Sequence, residues 1–281
     1  MYQTRYHRAS SIAEAVALVQ QAQEGKFLSG GMTLIPAMKT RLTAPSDLVD
    51  LRHVPGLSGI AISGREVVIG AATTHFEVAS HGELEALCPA ICHLAAHIGD
   101  PHVRHMGTIG GSVANNDPAA DYPAAMIALD ATIVTSTKEI AAEAFFTGLF
   151  ETALEDDEIV TAVRFTAPLG AGYVKFPNPA SRYALAGVFI SRSEAGVRVG
   201  VTGAGADGVF RCTEIEQALS ERFDVSALDV VTVPSDGLMS DIHAGAAYRA
   251  HLVVVMAKRA MARALDARRG GVNFYSRTFE G

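Results

Sequence analysis

Cysteine is scarce in this sequence of 281 residues, with only Cys88, Cys92 and Cys212 present. Three cysteines do not make the paired framework of a disulfide-rich secreted domain. Cys88 and Cys92 are four residues apart and could share one helix face. With His93 and His97 nearby, they could begin a metal site. Because zinc and iron–sulfur sites usually need four ligands, two thiols packed in a core are the favoured interpretation.

The sequence also lacks an excess of basic residues and any long apolar run. It has 23 Lys and Arg against 30 Asp and Glu, a formal net charge of -7, which argues against a nucleic-acid partner. The longest apolar runs, such as residues 252–257, are far too short for a membrane span. The N-terminus has no apolar segment typical of a secretory signal. We therefore expect a cytoplasmic protein, and its 281 residues leave room for two domains.

The chain has two glycine-containing segments, at residues 29–34 and 107–112, and both lack the common catalytic and nucleotide-binding motifs. Neither contains Gly-Lys-Ser/Thr, and neither gives Gly-x-Gly-x-x-Gly after a strand with an acidic residue about twenty positions on. His102, Arg104 and His105 flank the second segment. No Ser or Cys nucleophile and no paired carboxylate accompanies them in register, so we assign no catalytic side chain and no metal ligand.

The pattern of apolar and breaking residues predicts a mixed α+β protein. Ser11 with Glu14 and Thr74 with Glu77 have the spacing of capping boxes, which start helices. The order of the predicted helices and strands lacks the regular βαβ spacing of a doubly wound sheet. The other predicted helices lie near 34–38, 89–98, 122–128, 213–220 and 246–268, and the predicted strands at 26–28, 48–51, 66–70, 131–135, 158–165, 184–191 and 196–201.

The two glycine-containing segments are the strongest candidates for a binding site. Ser29–Leu34 follows a predicted strand and precedes a helical stretch, and Gly107–Ser112 is predicted as a second loop. Glycines let a backbone turn tightly, and successive N–H groups at such a turn form a concave anion site. Each segment alone is equally consistent with a plain structural turn. Two phosphate-sized segments together fit a diphosphate held between subdomains better than one isolated phosphate.

Two charged residues outside these segments have an ordinary and a functional interpretation. Asp121 stands where a helix is predicted to begin, so the local sequence favours an N-cap over a hydrogen bond to ribose or another hydroxyl. Lys175 lies at the predicted domain junction. As a single lysine, it is most simply a solvated surface charge.

A resemblance to a known family runs through the chain. Residues 29–42, Ser-Gly-Gly-Met-Thr-Leu-Ile-Pro-Ala-Met-Lys-Thr-Arg-Leu, resemble the Ala-Gly-Gly-x-Ser-Leu-x-Pro-x-Met-x-x-Arg-Leu signature of the FAD-binding medium subunits of molybdenum hydroxylases. The carbon monoxide dehydrogenase medium subunit and the FAD domain of xanthine dehydrogenase belong to that family. Further similar segments follow in the family's order, at 98–112, 117–123, 172–175, 184–188 and 240–249.

The resemblance implies a fold and a cofactor. The fold would be the FAD-binding type of vanillyl-alcohol oxidase and MurB, with two α+β subdomains at about 1–56 and 57–175. A C-terminal α+β domain at 176–281 would carry a three-stranded antiparallel sheet and helices. FAD pyrophosphate would lie on the glycine segments, with Asp121, Lys175 and two isoleucines at the rest of the cofactor. The implied FAD-binding residues are Ser29, Gly30, Gly31, Met32, Thr33, Leu34, Ile98, Thr108, Ile109, Gly110, Gly111, Ser112, Asp121, Ile159 and Lys175.

The resemblance also implies partners. A small subunit with two [2Fe-2S] clusters and a large molybdopterin subunit would complete a heterotrimer that dimerises. This chain would pass electrons from the clusters through FAD to an outside acceptor. A self-contained flavin oxidase or reductase and a non-catalytic assembly subunit are the alternatives. Thr33 replaces the family's usual Ser, and Arg182 stands near a usual Asp, so the contacts at the flavin edge differ.

Overall fold

The computed structural model describes residues 1–268. The first 50 of them form a three-stranded parallel sheet, in the order β1-β3-β2, with two helices. Ser11 caps the first helix by accepting from the Glu14 N–H, whereas the Glu14 carboxylate accepts from Ser10, so only half of the predicted capping box forms. The elements are β1 (Arg5–Arg8), α1 (Ile12–Gln21), β2 (Gly25–Leu28), α2 (Leu34–Lys39) and β3 (Asp47–Asp50).

The second unit is built on a five-stranded antiparallel sheet in the order β4-β5-β10-β6-β7. The Thr74–Glu77 capping box is confirmed, with both of its reciprocal hydrogen bonds. Several short elements, including a helix at Pro101–Met106, were not predicted. The elements are β4 (Ile60–Ser63), β5 (Glu66–Gly70), α3 (His75–Ser80), α4 (Gly82–Leu87), α5 (Pro89–Ala96), α6 (Pro101–Met106), α7 (Ile109–Asn115), α8 (Tyr122–Ala128), β6 (Thr132–Thr135), β7 (Glu139–Ala141), α9 (Ala142–Phe145), β8 (Phe146–Gly148), β9 (Glu151–Thr152) and β10 (Val160–Thr166).

The C-terminal part is an antiparallel sheet in the order β11-β12-β13-β14, against which the long helix α11 packs. Three strands were expected, and a fourth of two residues joins them at the β13 edge. Gly172 permits the helix contact, because an added Cβ would lie 2.0 Å from the Ala260 carbonyl oxygen. The elements are β11 (Gly170–Pro177), β12 (Ala184–Ser193), β13 (Gly196–Thr202), β14 (Phe210–Arg211), α10 (Thr213–Glu221), a 3-10 helix (Val225–Asp229) and α11 (Ala246–Arg268).

The predicted domain boundary at 175/176 falls inside strand β11. Because β11 pairs with β12 along its whole length, we propose that the C-terminal domain begins at Gly170. The end of that predicted domain, residues 269–281, lies outside the described residues. The subdomain boundary near residue 56 stays a prediction. Over residues 1–268, no helix combines the length and apolarity needed to cross a membrane.

Candidate functional site

A cleft of about 940 Å³ runs between the two sheets of the N-terminal region and the first strand of the C-terminal sheet. Its size is at the upper end of the roughly 300–1,000 Å³ of small-molecule and cofactor sites. Of the fifteen residues that the resemblance implied, the cleft wall includes every one except Ile109. Long-range folding therefore gathers residues from positions 29 to 175 around one space.

The first glycine segment presents a run of unused backbone donors to this cleft. It connects β2 to α2, and Gly31 has a φ of +72°, which glycine adopts without a Cβ penalty. No group in residues 1–268 accepts a hydrogen bond from the backbone N–H of any residue from Gly30 to Leu34. Successive free N–H groups at a turn attract an anion. The segment therefore fits a phosphate or pyrophosphate.

The second glycine segment differs from the loop that was predicted. Its residues 109–112 form the first turn of α7, and the Thr108 side chain caps that helix by accepting from the Gly111 N–H at 3.1 Å. The N–H groups of Ile109 and Gly110 donate to the carbonyls of Thr73 and Ala71. These two N–H groups therefore already have hydrogen-bond acceptors within the protein. The segment therefore shapes the cleft wall, while the first segment supplies the free donors.

The two segments touch directly. The hydroxyl oxygens of Ser29 and Thr108 lie 2.8 Å apart, within hydrogen-bond distance. An added Cβ at Gly30 would lie 2.1 Å from the Met106 carbonyl oxygen, so only glycine allows this approach. Gly110 is also too close to a neighbour to carry a side chain, because an added Cβ would lie 2.4 Å from the methyl group of Ala71.

The three implied isoleucines are placed differently. Ile109 is fully buried in the main hydrophobic core and is not part of the cleft wall. Ile98 and Ile159 do line the cleft. They provide apolar surface of the kind that packs against a flat ring.

Asp121 and Lys175 form a buried ion pair at the cleft. Lys175 Nζ donates to Asp121 Oδ2 at 2.9 Å, and the two side chains are only 7% and 5% exposed. The hydroxyl of Tyr173 donates to the other carboxylate oxygen. Asp121 stands at the predicted N-cap position of α8, but its side chain makes no capping hydrogen bond and contacts Tyr173 and Lys175 instead. The solvated-lysine interpretation was wrong, because strand pairing draws Lys175 inward beside Asp121.

Several cleft residues were missing from the prediction. Asp117 lies in the quoted Asp-Pro turn, and burial raises the pKa of its carboxyl above the usual value. Arg182 and Tyr183 reach the cleft from the turn between β11 and β12. His75, at the start of α3, is buried, and burial followed by the charge of Arg104 lowers its pKa to about 4. Two of them had a sequence signal: Asp117 lies in a motif segment, and Arg182 stands where the resemblance places a usual Asp near the flavin edge.

A third glycine-rich stretch does not form a nucleotide site. Gly203, Gly205 and Gly208 have Gly-x-Gly-x-x-Gly spacing after strand β13. That stretch leads into strand β14 and not into a helix, so it lacks the helix N-terminus that such a motif requires. An added Cβ at Gly205 would lie 2.3 Å from the Gly208 carbonyl oxygen, as expected for a tight turn.

The cysteine pair lies in the core. Cys88 and Cys92 are both buried in the main hydrophobic cluster, and burial raises the pKa of the Cys88 thiol to about 12. Among the described residues, no group of three or more His, Cys, Asp and Glu side chains is arranged to hold a metal ion. The burial of both thiols in this cluster confirms the core interpretation.

Comparisons with known proteins agree with this site. The sequence profile of a family described as "FAD binding domain in molybdopterin dehydrogenase" matches residues 2–168. The carbon monoxide dehydrogenase medium chain of Afipia carboxidovorans is 36% identical over 275 residues, covering 92% of this chain and 96% of that protein. The nicotine 6-hydroxylase medium subunit of Paenarthrobacter nicotinovorans is 32% identical, covering 92% of this chain and 96% of that protein.

The three-dimensional comparison points the same way. A solved structure of reconstituted CO dehydrogenase from Oligotropha carboxidovorans matches with a TM-score of 0.83 and 36% identity, covering 94% of this chain and 99% of the matched chain. The match confirms the expected α+β FAD-binding fold with its additional C-terminal sheet. The profile agrees over residues 2–168, and the relatives and the solved structure agree over more than nine-tenths of the chain. This chain belongs to the family of FAD-binding medium subunits of molybdenum hydroxylases, and it is an oxidoreductase subunit whose cofactor is FAD.

Proposed function

We propose that this chain is the electron-transfer subunit of a heteromeric molybdenum hydroxylase in the cytoplasm. Bound FAD would take electrons from [2Fe-2S] clusters on a small partner subunit and give them to an outside acceptor. A large molybdopterin subunit would bind and hydroxylate the substrate, and the heterotrimer would dimerise. The observation that carries this proposal is the run of free N–H groups at Gly30–Leu34, which opens into a cofactor-sized cleft.

The first glycine segment would hold the pyrophosphate. Its free N–H groups are the donors, and Ser29 and Thr33 add hydroxyls at the same wall. Met32 and Leu34 complete the segment and give it apolar surface. Backbone donors at a turn bind phosphate without adding a charged side chain, which suits the uncharged composition of this segment.

The second glycine segment would set the width of the cleft. Gly111 and Ser112 face the cavity, while Thr108 links the segment to Ser29. Gly110 lets the segment pack closely on Ala71. Ile109 would act from the core, as an anchor of α7, and not through contact with FAD.

The remaining residues would bind the rest of the cofactor. Ile98 and Ile159 would pack on its rings, and Asp121 and Lys175 would hydrogen-bond to polar atoms. The pair is nearly neutral as a unit, because each charge compensates the other at 2.9 Å. A protein that only passes electrons through a flavin needs position and electrostatics and no acid–base pair, in agreement with the absence of assigned catalytic side chains.

The first test is FAD uptake by the purified chain. We expect one FAD per chain, identified by its visible absorption and by chromatography of the cofactor released in acid. Gly111→Leu should prevent FAD uptake, because an added Cβ already lies 2.9 Å from the Thr108 hydroxyl and the longer leucine side chain would extend into the cleft. Gly82→Leu is the matched control, since nothing lies within 4 Å of an added Cβ there. A chain that takes up no FAD, alone or with its partners, would contradict the proposal.

The second test separates electron transfer from the two alternatives. Affinity purification from the native host should recover two partners, one with [2Fe-2S] clusters and one with molybdenum. In that complex, substrate should reduce the flavin, and NAD, a quinone or oxygen should reoxidise it. Turnover by the isolated FAD-loaded chain would instead indicate a self-contained flavin oxidase or reductase. Partners without flavin would indicate an assembly subunit.

A further inference from the structure

Tyr173 is not part of the cleft wall, but it contacts Asp121, which is. It lies two residues before Lys175 on β11, so both side chains leave the same face of the strand. Its ring is buried in the main core, and its hydroxyl donates to Asp121 Oδ1. Asp121 Oδ2 accepts from Lys175 at 2.9 Å. One carboxylate is thus held at each oxygen by a different donor.

Glycine at position 187 makes room for this arrangement. Gly187 lies opposite Lys175 in the β11–β12 pairing, and an added Cβ would come within 2.8 Å of the Tyr173 hydroxyl. Any larger residue would displace that hydroxyl from Asp121. The ring itself is held separately, by packing against Phe189 at a centroid distance of 6.1 Å. Removing the hydroxyl therefore leaves the ring's packing in place.

We propose that Tyr173 is a positioning residue that fixes the Asp121 carboxylate and its charge at the FAD cleft. This inference rests on the proposed function, because it assumes FAD in the cleft. Asp121 precedes α8, whereas Tyr173 and Lys175 belong to the C-terminal sheet. Tyr173 therefore ties the cofactor side of the cleft to the other domain. A hydrogen bond to a carboxylate draws negative charge away from it, so the same contact tunes the field that FAD experiences.

The test compares Tyr173→Phe with Tyr122→Phe. Both tyrosines are fully buried in the same core, but within the described residues the Tyr122 hydroxyl has no hydrogen-bond partner. Tyr173→Phe should weaken FAD binding roughly tenfold, the effect of losing one charge-assisted hydrogen bond. It should also lower the midpoint potential of bound FAD, because a more localised negative charge on Asp121 disfavours added electrons. Tyr122→Phe should change neither quantity.

Three measurements distinguish the outcomes: the FAD dissociation constant, the midpoint potential by reductive titration, and the unfolding free energy without FAD. A merely structural role would lower the stability of Tyr173→Phe and leave the potential of its bound FAD unchanged, which would overturn the inference. Equal effects of the two tyrosine variants would overturn it as well. If the unsubstituted chain takes up no FAD alone or with its partners, the proposed function fails and the inference fails with it. Normal FAD uptake with an unmoved potential would contradict the inference alone.

Discussion

The hydroxyls of Ser29 and Thr108 are 79 positions apart in the sequence and 2.8 Å apart in the folded chain. Ser29 begins the segment with free backbone donors, and Thr108 caps the helix α7 that forms the facing wall. Because this contact joins the two walls, we expect stability and cofactor binding to be coupled at it.

Thr108→Ala should weaken FAD binding as well as the fold. The variant loses an N-cap, which is worth about 1 kcal/mol of unfolding free energy, and it also loses the contact with Ser29. Ser11→Ala loses an N-cap of the same kind on α1, away from the cleft. Urea unfolding should give similar losses for the two variants, whereas FAD titration should show weaker binding only for Thr108→Ala. Equal FAD affinities would show that the Ser29 contact has no role in binding.

Gly30→Ala should separate the two glycine segments. The new methyl would lie 2.1 Å from the Met106 carbonyl oxygen, which is backbone and cannot rotate away. Overpacking of this kind costs about 1–3 kcal/mol. We expect a lower unfolding free energy and loss of FAD uptake. Gly82→Ala, at the open start of α4, should cause neither change, and a Gly30→Ala variant that binds FAD normally would contradict the close approach.

His75 should make the FAD-free chain less stable in mild acid. Burial, followed by the charge of Arg104, lowers its pKa in the folded chain from 6.5 to about 4. The unfolded chain therefore binds this proton first as the pH falls. The stabilisation is complete above about pH 6.5 and is lost progressively down to about pH 4, by at most about 1.4 kcal/mol per pH unit.

His75→Gln is neutral throughout this range and isolates the effect. We expect the difference in unfolding free energy between the unsubstituted chain and the variant to change between pH 6.5 and 4 and to be constant above it. Denaturant unfolding at half-unit pH steps would measure this. His93 also has a lowered pKa, but its contribution is present in both proteins and cancels in the difference. Parallel curves would mean that His75 is not the titrating group.

Arg249→Met should strongly destabilise the C-terminal domain. This guanidinium is 2% exposed and donates to the carbonyls of Leu185 and Gly203 at 2.7 and 2.6 Å, and to Asp241 at 2.7 Å. Methionine would leave the buried carbonyls of Leu185 and Gly203 without this donor, and an unsatisfied buried acceptor costs about 1–3 kcal/mol. Arg259→Met, at an exposed position of the same helix, is the control. Thermal unfolding that is equal for both variants would refute the role of Arg249.

Much of the fold could be predicted from local patterns. Apolar periodicity and caps predicted α1, α2, α8, α10 and α11 and the long strands, because these signals act within a few residues. The short elements α6 and α9 and the strands β7 to β9 gave no comparable signal. Gly110 and Gly111 also suggested a loop, although hydrogen bonds from Ile109 to Thr73 and from Gly110 to Ala71 hold this segment in a helical turn.

The sequence alone determined that this is an α+β chain with two phosphate-sized glycine segments, and its motifs indicated the family and FAD. Only the tertiary structure decided how the residues divide their roles. The free donors belong to Gly30–Leu34, Ile109 lies in the core, and Asp121 pairs with Lys175. The physical reason is that a donor's availability and a charge's partner depend on contacts between residues far apart in the chain. Local spacing cannot report those contacts.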